Sequence, residues 1–240
     1  MFGGFFDMDK PFWRWVGKIP DIVGLSFCWY ICSIPLITII PASCALFDAV
    51  SRTLMMDDKG CYKRFFRSFV RELRQGIPLS ILWIIITIIA FFGNQILNAG
   101  IEFSSLFSTF SALHLVMMIM MVGYLGWLIP LQSRYNNSFL GLHINALKFF
   151  LGRLPSSGLM ILTSVGLVLL AIIHPYTYCL LVFVPGVIAI LHSLSVEKAF
   201  QIAFPQDYED GLPVYTEQER IAIRAIKKAK QEEAQNAEEE

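Results

Sequence analysis

Long stretches of this chain carry no charged residue. Asp, Glu, Lys and Arg are absent from residues 22–47, 75–101, 103–133 and 154–196, windows of 26, 27, 31 and 43 residues. A helix needs about 20 apolar residues to cross a bilayer, so each window holds one span and the last has room for two. The His174-Pro175-Tyr176 step supplies the break between those two. The pattern predicts spans over residues 22–40, 77–97, 107–131, 159–173 and 176–194. Past Pro41 the apolar run continues through residues 42–56, interrupted by Asp48 and Arg52. Two further stretches read as amphipathic helices lying along the interface. In residues 62–74, Tyr62, Phe65, Phe66, Phe69, Val70 and Leu73 recur at helical spacing while Lys63, Arg67, Arg71 and Arg74 take the other side. Residues 138–151 are more apolar, with Asn145 and Lys148 interrupting Leu142, Ile144, Leu147, Phe149 and Phe150.

Loop charges then orient the spans. Residues 1–21 carry Lys10, Arg14 and Lys18, and residues 57–76 carry six Lys and Arg, so both segments are expected on the cytoplasmic side. A single crossing between them would expel one, and the chain is therefore expected to turn near residues 35–41 and return through 42–56. Residues 98–106, without Lys or Arg, then fall outside, and residues 132–157, with Arg134, Lys148 and Arg153, fall inside. The sum is an all-α polytopic membrane bundle of about six segments, a multi-pass plasma-membrane protein with both termini cytoplasmic. The second segment covers only about 24 Å as a helix, so it reads either as a short span or as a re-entrant leg shielded from lipid. Shifting the chain by 77 residues aligns Pro78 with Pro155 and sets FFRSFVRELRQGIPLSIL against NALKFFLGRLPSSGLMIL. That alignment fits either a parallel repeat or convergent hydrophobicity.

Composition supports the membrane reading: 55% of residues are hydrophobic and 16% charged, against about 25% charged in soluble proteins. The formal charge of zero is a cancellation. Residues 1–196 carry 13 Lys and Arg with 8 Asp and Glu, whereas residues 197–240 carry 6 and 11. We expect a membrane domain over 1–200, a linker over 201–216, and a charged cytoplasmic helix and tail over 217–240, where Thr216 and Glu219 form a capping-box pattern. Its narrow stripe of Ile221, Ile223 and Ile226 suits either a docking face or a solvated helix.

The search for chemistry returns little. Walker, HExxH, GxSxG, CxxC and Rossmann patterns are all absent from the chain, which argues against an ATPase or other enzyme; no cofactor, metal or nucleic-acid partner is expected. The five cysteines read as small buried hydrophobes, although Cys28 and Cys32, one turn apart, could supply two ligands of a weak metal site. His114, His143, His174 and His192 stand apart and read as structural or interfacial residues. Asp48 and Arg52 are sharper. Four residues apart on a helix, they share a face and can pair, and ionisable groups at membrane depth default to a functional role. The alternative is that they snorkel to the nearby cytoplasmic interface.

Several motifs together resemble the YesL-like family of bacterial membrane proteins, a domain of unknown function (624). The opening FFDMDKPFWRWVGKIPDIVGLSFCWYICSIPLITIIPASCAL, the segment Gly60 with FFRSFVRELRQG, and the stretches LQSRYNNSF and INALKFFLGRLPSS carry the resemblance. In the last two, Arg134, Asn136, Asn145, Ala146 and Pro155 occupy the matching positions, Tyr135 replaces a phenylalanine, and Asp48 and Arg52 lie outside the pattern. The resemblance spans about residues 1–200. It implies a companion of carbohydrate uptake: a non-catalytic accessory subunit of an ABC-type oligosaccharide importer, in contact with the bilayer and with permease subunits, and able to form a homo-oligomer. Arg134, Asn136, Asn145 and Pro155 would then lie on a cytoplasmic contact surface. The alternative is a stand-alone transporter for a sugar-like solute.

Overall fold

The computed structural model describes residues 11–56, 60–99, 105–135, 138–173, 181–209, 212–214, 221 and 223. Its helices are α1 (Pro11–Ser33), α2 (Ile39–Met56), α3 (Cys61–Ala99), α4 (Ser105–Arg134), α5 (Phe139–Gly152), α6 (Leu154–Ile173) and α7 (Val184–Ala203). A 3-10 turn, Leu36–Thr38, joins α1 to α2. The chain divides into two compact units, Met1–Ser193 and Leu194–Glu240.

Among the described residues, four helical stretches are long and apolar enough to cross a membrane: Leu36–Met55, Cys61–Gly93, Ala112–Arg134 and Val184–Ala203. A fifth is added if α5 and α6, bent by 97° at their junction, count as one. The six expected segments are thus not all matched, since α1, with Lys18 and Asp21 in its length, is not among these stretches. The stretches also differ in enclosure. That of α2 is 72% buried, against 17% for that of α3 and 22% for that of α4, so α2 is wrapped by protein while α3 and α4 present their sides outward.

The sequence predicted an interfacial helix over 62–74 and a separate span over 77–97. Instead α3 is one helix of 39 residues. Its buried positions Cys61, Phe65, Ser68, Glu72, Gly76 and Leu79 fall at steps of three and four on one face, with Ser80 beside them, while Phe66 and Val70 of the expected apolar face are exposed. Pro78 removes one helical N–H, but the turns around it are pinned to α2. The Ile40 N–H donates to Ser80 Oγ at 3.2 Å, and a side chain on Gly76 would begin 2.5 Å from the Pro41 ring. Pro155, by contrast, sits at the 97° bend between α5 and α6. The two proline-centred segments of the suggested repeat therefore adopt different structures.

These contacts also place the α1–α2 turn. Ile40 lies level with Ser80, and α3 continues from there through Ala99, about 28 Å further at the helical rise. At the hairpin's other end Lys18 Nζ donates to Leu54 O at 3.1 Å. Between them Trp29 Nε1 donates to Ser43 Oγ at 3.0 Å, and Leu25, Ala45, Ala49, Val50, Cys61 and Phe65 form a core with Ala189. The turn itself exposes Ile31, Ile34, Leu36 and Ile37.

α7 begins at Val184, later than the predicted start at 176, and residues 174–180 lie outside the described set. It runs through to Ala203 and so joins the two units. In the second unit the expected linker carries local structure: a 3-10 turn at Pro205–Asp207 and paired strands β1 (Tyr208–Glu209) and β2 (Leu212–Pro213). Tyr208 Oη donates to Glu197 Oε2 at 2.6 Å and fastens this turn to the end of α7. Of the helix expected over 217–240, only Ile221 and Ile223 fall among the described residues.

The Pro41–Gly76 approach yields a prediction. Gly76→Leu should lower stability by about 1–3 kcal/mol through overpacking. Gly166→Ala, where a Cβ meets nothing within 4 Å, should leave stability unchanged or raise it by up to about 1 kcal/mol. Thermal unfolding of both variants in mild detergent checks the contrast.

Candidate functional site

The polar side chains of the first unit gather where α2, α3 and α4 meet. On α2, Arg52 Nε donates to Asp48 Oδ1 at 3.0 Å, the pairing expected from their spacing. Both are buried, Arg52 at 6% and Asp48 at 4% exposure. One turn back on the same helix, Cys44 lies within electrostatic reach of Asp48, Arg71 and Glu72, and its thiol faces Ile129 O of α4 at 3.6 Å.

Glu72 is the hub of the second group. Its Oε1 accepts from Arg71 Nε at 2.8 Å, and its Oε2 accepts from Gln132 Nε2 of α4 at 3.0 Å. The same Gln132 amide donates to Gln75 Oε1 at 3.0 Å. Arg71 Nη2 reaches both Ser68 Oγ and the Ser133 carbonyl, at 3.1 and 3.0 Å. Glu72 is 6% exposed, and its neutralising partner Arg71 is half-exposed. Sequence reasoning passed over Glu72 because it sits in a run of basic residues. The signal that could have found it is the Phe65, Ser68, Glu72, Gly76 stripe, a second periodicity on the same helix. A buried carboxylate with two hydrogen-bonded neighbours acts as a clamp: removing Arg71 takes away its counter-charge, and removing Gln132 leaves Oε2 without that hydrogen bond.

The expected contact residues are dispersed. Arg134 ends α4 and is half-buried. Asn136 lies outside the described residues. Asn145 is half-buried on α5, and Pro155 is exposed in the first turn of α6, where its missing N–H costs no helical bond. What organises this region is Trp127 of α4, fully buried and stacked on Phe149 at 5.3 Å. Its Nε1 donates to Ser157 Oγ at 2.9 Å, and Ser157 Oγ donates in turn to Phe150 O at 2.8 Å. This ties the last turn of α5 to the first of α6 across the bend. α5 starts at the expected place, capped by Ser138 Oγ on the Gly141 N–H. It buries Leu142, Ala146 and Phe150 and leaves Leu140, Ile144, Leu147 and Leu151 exposed along one ridge.

A cavity of about 360 Å³ lies among α1, α2, α4, α6 and the first half of α7. Its wall is apolar apart from Trp29, Tyr30, Ser43, Ser164 and His192. His192 Nε2 and Ser164 Oγ lie 3.1 Å apart, and Tyr30 Oη donates to Leu181 O at 2.6 Å. Elsewhere His114 Nε2 sits 2.7 Å from Ala90 O, and His143 packs edge-on to Phe139 at 4.8 Å. His174 and Cys179 fall outside the described residues. Cys28, Cys32, Cys44 and Cys61 are free thiols. No group of three or more His, Cys, Asp or Glu that could hold a metal comes together among the described residues.

These features define a helical protein whose long apolar helices are compatible with a multi-pass membrane protein. Residues 22–93 match the family model of a protein of unknown function, DUF624, a segment that takes in α2, most of α1 and α3, and with them Asp48, Arg52, Arg71 and Glu72. Gln132 and the α5–α6 region lie beyond the matched segment. No curated protein and no solved structure matches the chain.

The ion pair can be tested directly. Arg52→Ala alone should cost about 3–5 kcal/mol, because it leaves the buried Asp48 carboxylate without its counter-charge, Asp48→Ala should also destabilise, and Asp48→Leu with Arg52→Met should come out near wild type. Denaturant unfolding in mild detergent measures all three. A well-folded double variant that loses a cellular activity would assign the pair a role beyond stability.

Proposed function

We propose that this chain is a non-catalytic, multi-pass protein of the bacterial plasma membrane, of the YesL-like kind, that serves as an accessory subunit of an ABC-type carbohydrate importer. The observation that carries an accessory role is the α5 ridge. Leu140, Ile144, Leu147 and Leu151 stand exposed in line, on a helix fixed at 97° to α6 by the Trp127–Ser157 hydrogen bond. A rigid apolar ridge beside Lys148 and Asn145 suits lateral packing against another helical bundle at the interface. The carbohydrate importer as partner rests on the family resemblance of the sequence.

In this reading four legs cross the bilayer: α3, α4, α6 and the leg that contains α7. The α1–α2 hairpin enters from the cytoplasmic side and turns back within the bilayer. Its turn lies level with Ser80, while α3 extends about 28 Å beyond, nearly the thickness of a hydrocarbon core. A hairpin of this kind needs its backbone shielded, and α2 is the most enclosed of the span candidates. Four crossings keep both termini cytoplasmic, in accord with the basic segments 1–21 and 57–76.

The stand-alone transporter remains the second reading, favoured by the 360 Å³ cavity. Solute flux into proteoliposomes containing this chain alone tests it. Robust sugar flux would replace the accessory reading.

Two outcomes are expected. Affinity purification of the tagged chain from its host, grown on complex polysaccharide, should retain importer permease subunits in fixed stoichiometry, and Ile144→Glu should reduce that retention by about tenfold, the scale of one lost anchor. Recovery of the chain alone under gentle extraction would sink the accessory role. For the hairpin, a cysteine at Ile34, in an otherwise cysteine-free chain, should resist a membrane-impermeant thiol reagent added from outside intact cells. Rapid labelling there would mean that the hairpin crosses.

A further inference from the structure

The cavity has a wall whose polar groups are already engaged. Trp29 Nε1 donates to Ser43 Oγ, which donates to Ile39 O at 2.7 Å. Tyr30 Oη is held by Leu181 O, and Ser164 and His192 face each other at hydrogen-bond distance. A buried water needs two to four polar partners, and a sugar needs more, whereas apolar cavities stay dry or take apolar guests.

Depth adds a second constraint. α6 runs from Leu154 to Ile173, about 30 Å at the helical rise, and Ser164 lies midway along it. On the membrane reading, the cavity therefore lies within the hydrocarbon core, beside the turn of the α1–α2 hairpin. Tyr30 and Val168 belong to its wall and are also exposed, at 37% and 39%. The molecules that meet this edge are lipid chains. The volume holds about a dozen groups at roughly 30 Å³ each, the scale of a single hydrocarbon chain.

We propose that this cavity is a lateral pocket for one hydrocarbon chain, admitted from the bilayer between α1 and α6. The occupant is an acyl chain, and it packs against Leu125, Ile129, Ile188 and Ala189. It fills the space between a hairpin that does not cross and helices that do. The proposal rests on the membrane reading but not on the importer as partner.

Photo-crosslinking in vesicles of phosphatidylethanolamine and phosphatidylglycerol in equal parts tests it. One arm contains a phospholipid with a mid-chain diazirine and the other a free fatty acid with the same group, so the two arms separate a membrane lipid from a free acid as the source of the chain. Mass spectrometry of the labelled peptides should place adducts on Leu125, Ile129 or Ile188 in at least one arm, as well as on the outward-facing Ile89 and Phe92 of α3. Ala189→Phe and Val122→Phe, which fill the cavity from different helices, should each lower the cavity adducts by about tenfold, with the α3 adducts unchanged as the sign that the variant inserts. Wild-type adducts confined to the outward-facing residues would overturn the pocket. So would cavity adducts that persist in both filled variants. Absence of adducts on Ile89 and Phe92 as well would overturn the membrane reading itself.

Discussion

In a bilayer, helices gain little by burying apolar surface against one another, because the lipid tails are as apolar as the side chains. Cohesion has to come from close approach and from hydrogen bonds, and this protein concentrates both along one stretch of α3. Within the steps from Ser68 to Ser80 lie the Glu72 clamp to α4, the Gly76 seat for Pro41, and the Ser80 hydroxyl that receives the Ile40 N–H in the first turn of α2. Arg71, one residue from the clamp, reaches across to the Ser133 carbonyl. α2 can be the most enclosed span candidate because this stretch and α4 hold it on two sides.

The same constraint explains the charge pattern. Asp48 with Arg52, and Glu72 with the half-exposed Arg71, place two acids and one base in the interior of the first unit, each acid paired with a base on its own helix. Pairing within a helix lets α2 and α3 each bring a nearly neutral face to the interface, so the cost of desolvation is met before the helices meet. Gln132 then joins α3 to α4 with a neutral amide, which adds hydrogen bonds without adding charge.

Much of this architecture was legible in the chain. The charge-free windows located α4 and α6, the stretch 138–151 coincides with α5, and the spacing of Asp48 and Arg52 foretold their ion pair. What escaped was tertiary. The basic side chains of residues 62–74 suggested a helix resting on headgroups, whereas Phe65, Ser68 and Glu72 on the same helix face the protein, and two overlapping periodicities cannot be ranked without knowing the neighbours. The helix over 62–74 and the span over 77–97 read as separate elements, because the contacts of Pro41 with Gly76 and of Ile40 with Ser80 that flank Pro78 are not local in sequence. The cavity and the Ser164–His192 contact join residues 28 apart on different helices, and no linear pattern announces them.

The unbroken length of α3 has a mechanical consequence. Thirty-nine residues make a rod of about 58 Å, almost twice a hydrocarbon core. On the proposed membrane reading its far portion lies in lipid, while its near portion is held to the α1–α2 hairpin. Membrane helices answer a change in bilayer thickness by tilting. Tilt at one end of a single helix displaces its other end, so on that reading the hairpin would follow the thickness of the surrounding lipid.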